Sequence, residues 1–448
     1  MRAPTPLAVA LVLAMPGALA AQQPERLTLL EAARMALETH PSVAAAEARR
    51  NAAGAGREEA TAAWFPDVAL DASYTRFEEP MLVIPLHAFD LEQRPVFDRD
   101  VVEATLASRW TVFDGGERSG AIGQAAAVED AAEADLDDAR ARLLAELTSV
   151  YLEVLSLRET VEAHDARVDA LGEERDRVLL AVREEKAARV ESSRVEAALA
   201  AGRADRVAAA ESLGVAVRDL GRLIGRRDLG REDLEALSRG LVAPMPAGPV
   251  LAPAVPRPSQ DSPDLRRARS EVAAAEGVRR AAIGAWFPDL ELASGYVERG
   301  ALDESYTGEW QVGVQLQYML FAGGARRAAV SRADAERRAA EERLRLVEDE
   351  TAARIDRARA GVESARTRAE ALAAAAEARD DVARVEKVAV DVGAGVVSDY
   401  LDALADLFEV RAAEIRARHA ILRSEVELAR ATGDLDLEWL ERRLAETR

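Results

Sequence analysis

The chain has 448 residues, no cysteine, and 80 acidic against 59 basic residues, which gives a formal net charge of −21. The missing cysteines exclude disulfides, thiolate metal sites and a lipid anchor on an N-terminal cysteine. The acidic balance argues against a nucleic-acid partner, because phosphate binding needs a basic surface.

Residues 1–20 predict a secretory signal peptide. Arg2 supplies the positive start, Leu7 to Leu13 the apolar core, and Ala18 to Ala20 a small-residue cleavage site. No later stretch offers the roughly 18 uncharged apolar residues that a membrane helix needs. The sequence therefore predicts a protein outside the cytoplasm, either soluble or inserted in a membrane as a β-barrel, since only helices and closed barrels satisfy every backbone group in lipid.

The first predicted elements are helices. Thr28 is a candidate N-cap with Glu31 three residues on, a capping-box pattern. The helix breaks near His40-Pro41, resumes over residues 42–61, and cannot pass Pro66.

Two stretches with a period of two follow, over residues 68–75 and 102–113, and predict β-strands separated by a long loop over 78–101. The next 67 residues, 117–183, contain no proline, and as a helix they would extend about 100 Å. A helix of that length predicts a coiled-coil arrangement. A return helix over 190–224 would end at Gly225. Apolar residues recur at three- and four-residue steps along the first long helix, at Leu136, Leu143, Leu147, Val150, Val154, Leu157 and Val161.

The same order of patterns occurs twice. Trp-Phe-Pro-Asp precedes the first strand of each copy, and the two copies of this tetrapeptide lie 222 residues apart. Phe-x-Gly-Gly ends the second strand at 113–116 and at 321–324, an offset of 208, so the loop between strands is 14 residues shorter in the second copy. A tandem duplication is therefore predicted. The tetrapeptide copies are Trp64, Phe65, Pro66, Asp67 and Trp286, Phe287, Pro288, Asp289, which we interpret as a hinge at a membrane boundary.

The duplication sets the predicted domain boundaries. A first repeat covers 21–225 and a second repeat covers 261–433, each with a helix, two strands and a long helical hairpin. A connector over 226–260, with a possible short helix at Arg231–Arg239, joins them, and a C-terminal tail covers 434–448.

The four predicted strands have one aromatic and one polar face. Their lengths, about 10 to 14 residues, fit strands that cross a membrane, although a soluble four-stranded sheet with one wet face fits the alternation as well. Four strands cannot close in lipid, so two copies would give eight strands with a filled interior, and three would give twelve and a pore. The aromatic face carries Tyr74, Trp110, Tyr296, Trp310 and Tyr318, and the polar face Arg109, Gln311, Gln315 and Gln317.

These motifs resemble the outer-membrane efflux (TolC) family over nearly all of the chain after the signal peptide. The matching features are Leu-Thr-Leu-x-Glu-Ala at 27–32, His40-Pro41, the duplicated Trp-Phe-Pro-Asp and Phe-x-Gly-Gly motifs, and the Val-Gly turn in residues 392–401. The resemblance implies a mainly α fold with a β-barrel portion: a long α-helical coiled-coil barrel crosses the periplasm, and four membrane strands per protomer build a twelve-stranded barrel of a homotrimer.

The resemblance also implies a function. The protein would be the passive exit duct, in outer-membrane lipid, of a tripartite efflux or type I secretion-like system, with no enzymatic activity and no cofactor. Its partners would be a periplasmic adaptor (membrane fusion) protein and an inner-membrane transporter.

In such proteins the helix tips dock the adaptor. The corresponding tip residues are Lys186, Val190, Val392, Gly393, Gly395, Val397, Ser398 and Asp399. Glu185 stands where the second tip has Gly393, and because side chains disfavour left-handed turns, another turn geometry is predicted for the first tip.

Three carboxylates, Asp380, Asp381 and Glu386, precede the second tip. In a trimer each would form a ring of three at a tunnel entrance, an arrangement that favours cations. A solvated helix face explains the same residues.

Two other classes of protein remain open. A soluble periplasmic coiled-coil adaptor or scaffold explains the long helices and the signal peptide, but it does not explain four alternating strands with aromatic faces. A secreted enzyme or binding protein would need a chemical motif, and the sequence contains no P-loop, dinucleotide glycine motif or zinc-protease motif.

Overall fold

The computed structural model describes residues 27–83, 96–226, 229, 262–302 and 306–445. The predicted signal peptide and the possible helix at Arg231–Arg239 lie outside these ranges, as does nearly all of the predicted connector.

The described part of the first half contains four helices and two strands. Two short helices precede a strand hairpin, and a pair of long antiparallel helices follows it. The elements are α1 (Leu29–Thr39), α2 (Pro41–Ala62), β1 (Asp67–Leu82), β2 (Phe97–Phe113), α3 (Glu117–Arg183) and α4 (Arg189–Leu223).

The described part of the second half repeats this order with one fewer short helix before the strands, and it adds a helix after the long pair. The elements are α5 (Pro263–Gly284), β3 (Asp289–Ala301), β4 (Thr307–Gln317), α6 (Ala325–Asp391), α7 (Val397–Thr432) and α8 (Leu437–Ala445). The predicted fold class, mainly helical with a small β portion, is confirmed in these ranges. None of the helices among the described residues combines the length and the apolar character that a bilayer crossing requires.

The predicted capping box opens α1. The backbone N–H of Glu31 donates to the Thr28 hydroxyl at 3.2 Å, and the N–H of Thr28 donates to the Glu31 carboxylate at 2.8 Å. The break at His40-Pro41 is also confirmed, since α1 ends one residue before His40 and α2 begins at Pro41.

The predicted loop over 78–101 was too long at both ends. β1 continues to Leu82 and β2 begins at Phe97, where these two residues pair directly. Strand propensity does not predict this extension, because charged residues and proline are rare in strands. The extension forms because β2 supplies the hydrogen-bond partners. Proline lacks the N–H that a ladder needs, and the register shifts between Arg76 and Met81, around Pro80.

The main core surrounds the middle of α3. The apolar residues predicted along this helix lie in it or pack against it. The segment predicted as a tail contains α8, whose Leu440 is completely buried, a contact that stabilises the fold by about 1.5–3 kcal/mol. Core residues include Ala32, Ala33, Ala36, Leu143, Leu144, Leu147, Leu220, Ile224, Val426 and Leu440.

The four strands form one antiparallel sheet in the order β1-β2-β3-β4. Asp67 lies opposite Arg109 in the first hairpin, and Asp289 lies opposite Gln317 in the second. Adding 222 to 67 gives 289, and adding 208 to 109 gives 317, so the second pair is the counterpart of the first and the two repeats share one strand register. The pairing of β2 with β3 joins the two halves and leaves β1 and β4 at the edges.

Candidate functional site

The tips of the two helical hairpins have the same backbone. In the first tip, the N–H groups of Glu185 and Lys186 donate to carbonyls in the last turn of α3 at 3.1 and 2.8 Å. In the second tip, Gly393 and Ala394 make the equivalent bonds to α6 at the same two distances. This pair of bonds is the Schellman arrangement that ends a helix with one left-handed residue.

The prediction of another geometry for the first tip is therefore wrong. Glu185 has φ = 60° and Gly393 has φ = 76°, so both lie in the left-handed region. Glu185 is the only non-glycine residue with positive φ in the described part of the chain. The two capping bonds hold Glu185 in a conformation that its side chain disfavours.

The two tips differ in chemistry. The second tip exposes Val392 and Val396 to 72% and 52% of their surface. At the equivalent places the first tip has Glu184, which pairs with the predicted docking residue Lys186 at 2.7 Å, and Ala188. One tip is thus apolar and the other is charged.

Other predicted tip residues are constrained by their backbone. Gly393 has open space around it and is required only for its positive φ, whereas a β-carbon on Gly395 would lie 2.9 Å from that of Ala389. Ser398 donates to Asp399 at 3.2 Å in the first turn of α7, and Val190 is exposed in the first turn of α4.

Val397 differs from its predicted neighbours because it is only 8% exposed. It packs against Val178 of α3 and Val195 of α4. Its position is therefore inside the contact between the two hairpins of one chain, and it is a packing residue of the tip.

A charged link crosses the same contact just above the tips. The Arg177 guanidinium on α3 donates to the Asp391 carboxylate at 2.5 Å and also to buried Glu174 at 2.5 Å. Burial raises the pKa of the Tyr400 hydroxyl beside this group, and the Glu174 charge adds to the effect. No motif indicated these residues, because the link joins positions 214 apart in the sequence.

The predicted entrance carboxylates are mostly neutralised. Asp380 accepts from Arg411 at 2.5 Å and from Arg384 at 2.9 Å, and Asp381 pairs with Arg384 at 3.0 Å. Glu386 has no ion pair among the described residues. Of the three, Glu386 alone lacks an ion pair in the part of the chain that the structure describes.

The Trp-Phe-Pro-Asp copies form the junctions between helix and strand. In each, the Trp and Phe N–H groups donate to carbonyls of the preceding turn at 3.0 and 2.9 Å, and the strand begins at the Asp. Trp64 and Phe65 remain largely exposed, as do Trp286 and Phe287. Each copy is therefore a helix-to-strand junction, and its role as a hinge at a membrane boundary stays a prediction.

An arginine from the following long helix stacks on each junction. Arg118 lies 4.4 Å from the Trp64 ring and pairs with Asp114 at 2.6 Å. The equivalent Arg326 lies 5.7 Å from the Trp286 ring, and its Nη2 is buried without a hydrogen-bond partner, because Ala322 replaces the aspartate. The first junction is therefore the better satisfied of the two.

The aromatic face of the sheet is uncovered. Neighbouring strands place one apolar residue beside the next in a continuous row of Leu70, Leu106, Tyr296 and Trp310. All four are exposed, with Trp310 at 75%. An apolar surface of this extent marks a contact with lipid or with another protein.

Within the described residues, no group of three or more His, Asp or Glu side chains is placed to hold a metal ion. His40 caps the start of α2, where its Nδ1 accepts from the Ser42 N–H, and His419 bonds Glu159 at 3.0 Å. Both histidines thus have structural contacts.

Solved structures show that this fold occurs in outer-membrane channels. The outer-membrane channel OprN aligns with a TM-score of 0.76 and 21% identity over 91% of this chain and 90% of its own. The outer membrane protein VceC of Vibrio cholerae gives 0.74 and 19% over 90% and 96%, and the Campylobacter jejuni CmeC outer membrane channel gives 0.75 and 14% over 94% and 89%.

The comparison with curated proteins finds no match. The sequence pattern of the outer membrane efflux proteins, however, matches residues 32–226 and 257–434, which cover most of the first predicted repeat and all of the second. The chain therefore belongs to the outer membrane efflux protein family.

Proposed function

We propose that three copies of this chain form a passive exit duct for a tripartite efflux or type I secretion-like system. Family membership places the chain in the outer membrane, with its helical part in the periplasm. The four strands of each copy contribute to a twelve-stranded barrel, and the long helices continue it as a tunnel. A periplasmic adaptor and an inner-membrane transporter complete the system.

The observation that carries this proposal is the sheet. Its apolar face is exposed, and its edge strands β1 and β4 have unpaired backbone groups on their outer sides. Such edges are not tolerated in lipid, so β4 of one copy must pair with β1 of the next.

The repeat predicts the register of that pairing. Leu106 on β2 lies opposite Tyr296 on β3. The counterpart of Leu106 on β4 is Val314, 208 residues later, and the counterpart of Tyr296 on β1 is Tyr74, 222 residues earlier. The repeat therefore places Val314 of one copy opposite Tyr74 of the next.

A second contact supports the same assembly. A β-carbon on Gly115 would lie 2.6 Å from the Phe287 β-carbon, so the two repeats meet closely inside one chain. The equivalent Gly323 has nothing within 4 Å, and the equivalent Phe65 is 69% exposed. Phe65 of a neighbouring copy fills the space at Gly323 in the proposed trimer.

The number of copies follows from the pore. Two copies would give eight strands, whose interior is filled by side chains, whereas twelve strands leave a channel. A duct requires the second arrangement.

The hairpin tips are the proposed adaptor-docking surface. Val392 and Val396 offer exposed apolar area on one tip, and Lys186, Val190 and Asp399 lie in exposed positions of the two tips. Gly393 and Gly395 shape the second tip, and Val397 supports it from inside.

Ion pairs within one chain limit the charge that the predicted tunnel-entrance carboxylates can present. Asp380 and Asp381 lie near the periplasmic end of α6 but share their charge with arginines. We expect rings of Asp380 and Asp381 to select cations weakly, because arginines of the same chain neutralise most of their charge.

Cysteine cross-linking tests the barrel directly, because the chain has no native cysteine. The variant with Val314→Cys and Tyr74→Cys should give a covalent trimer on a denaturing gel. The variant with Val314→Cys and Leu70→Cys moves one partner by four residues, roughly 13 Å along the strand, and should not.

Equal linking in both variants, or a product that stops at two copies, would contradict the proposed barrel. Fractionation separates the rival class. Recovery of the protein in the soluble periplasm without detergent would favour the coiled-coil scaffold.

A further inference from the structure

Inside one chain, the two hairpins touch through apolar side chains near their tips. Val178 of α3 packs against Val397 of α7. About two turns farther from the tip, Leu171 of α3 and Leu404 of the same α7 share a second apolar cluster. Tyr400 and Phe408 of α7 and Leu199 of α4 complete this second cluster.

The duplication places an equivalent contact between copies. Adding 208 to the number of a first-hairpin residue gives its counterpart on the second hairpin of the same copy. Subtracting 208 from the number of a second-hairpin residue gives its counterpart on the first hairpin of the next copy. Val178 becomes Glu386, and Val397 becomes Arg189. Leu171 becomes Arg379, and Leu404 becomes Glu196.

Both of these substituted pairs have opposite charges. Glu386 is partly exposed, and the Arg189 and Glu196 side chains are exposed, all three without a described ion-pair partner. Arg379 pairs with Asp406 on α7 of its own chain at 2.7 Å, so it has donors left for a second carboxylate.

The two aromatic residues of the cluster are lost at the same time, whereas Leu199 keeps a leucine counterpart at Leu407. The counterparts of Tyr400 and Phe408 are Ser192 and Ala200. These small side chains cannot rebuild the apolar cluster, and they leave room for the longer charged groups.

We propose that an ionic seam, formed by Glu386 with Arg189 of the next copy and Arg379 with Glu196 of the next copy, joins the hairpin tips between copies. This inference rests on the proposed trimer. The two hairpins of one chain are held by apolar packing together with the Arg177–Asp391 link, whereas the seam between copies consists of ion pairs and weakens with salt.

Three double-cysteine variants test the ionic seam in the purified, detergent-solubilised protein with a short bifunctional maleimide. Glu386→Cys with Arg189→Cys should give a covalent trimer. Arg177→Cys with Asp391→Cys, whose native side chains meet within one chain at 2.5 Å, should link internally and run as a monomer.

The third variant, Val314→Cys with Tyr74→Cys, reports on the trimer itself. A trimer from this strand pair without one from the 386–189 pair would overturn the ionic seam and leave the duct intact. Failure of the strand pair would instead refute the trimer on which the inference rests.

Charge exchange tests whether the contact is ionic. Glu386→Arg and Arg189→Glu should each speed hydrogen exchange at the start of α4 by roughly 1.5- to 5-fold, the range of an exposed ion pair. The double variant should return toward the wild-type rate, and high salt should remove the differences. Additive effects in the double variant, or single effects unchanged by salt, would refute the ionic seam.

Discussion

The strained turn at Glu185 gives the sharpest prediction about one residue. Its backbone has φ = 60°, which costs a side-chain-bearing residue about 1–2 kcal/mol. The equivalent Gly393 adopts φ = 76° without that cost. Replacing Glu185 with glycine should therefore release this strain.

Part of the gain is lost in the unfolded chain. Glycine there has more conformational freedom, which costs roughly 0.5–1 kcal/mol. We expect Glu185→Gly to stabilise the first tip by about 0.5–1 kcal/mol, or a two- to fivefold change in the opening equilibrium.

Hydrogen exchange measures this opening where it occurs. The amide of Lys186 is protected by its bond to α3 in the closed turn. Its exchange should slow by roughly two- to fivefold in Glu185→Gly, since local opening controls exchange at such positions.

Two matched variants isolate the cause. Glu185→Ala removes the charge but keeps the β-carbon, so exchange should stay near wild type. Gly393→Ala should loosen the second tip by about 1 kcal/mol, because its φ is positive although nothing lies within 4 Å. An unchanged rate in Glu185→Gly together with an unchanged second tip in Gly393→Ala would refute the left-handed turns.

Three further predictions concern other parts of the chain. Burial alone would raise the pKa of Glu159, but its bond from His419 and nearby arginines hold the pKa below the ordinary value of 4.5. Because its pKa is lowered in the folded state, the ionised Glu159 stabilises the fold above pH 4.5, and this contribution is lost as the pH falls through the folded-state pKa. The melting temperature should therefore drop less on acidification in Glu159→Gln than in wild type. Equal drops in the two proteins would contradict this. Ala322→Asp should supply the missing partner of Arg326 and raise thermal stability by up to about 1 kcal/mol, and a lower melting temperature would contradict the pairing. Val396→Asp places a charge on the exposed apolar tip and should weaken capture of the cognate adaptor in a pull-down, while trimers persist; undiminished capture would argue against docking there.

Much of the helical part follows from sequence. The absence of proline from 117 to 183, between Gly116 and the next turn, predicts α3 with its observed ends. Thr28 and Glu31 predict the start of α1, because a capping box is a local interaction. Elements set by residues close in sequence are the ones that a pattern can predict.

Contacts between distant segments were harder to predict. β1 extends to Leu82 through residues of low strand propensity, because β2 completes its hydrogen bonds. Glu185 adopts a left-handed turn because two capping bonds require it. Val397 is buried by Val178 and Val195, which lie on the other hairpin. For β1 and Val397 a partner far along the chain decides the outcome, whereas the Glu185 turn is set by bonds to the last turn of α3 that no sequence motif indicates.

The offsets of 222 and 208 between the two repeats predict which residues occupy equivalent positions in the fold. They relate Asp67 and Arg109 to Asp289 and Gln317 in the observed sheet. Through the same relation, Gly115 and Phe287 predict what Gly323 contacts in the next copy. A duplicated chain thus contains a pattern for its own assembly.

The most direct test of the proposed duct is the number of chains that it contains. Native mass spectrometry of the protein extracted from outer membranes in mild detergent should give a mass of three copies, and twelve strands then leave an open channel. A mass of two copies would give eight strands with a filled interior, and a mass of one would leave both sheet edges unpaired. Either result would contradict the proposed duct.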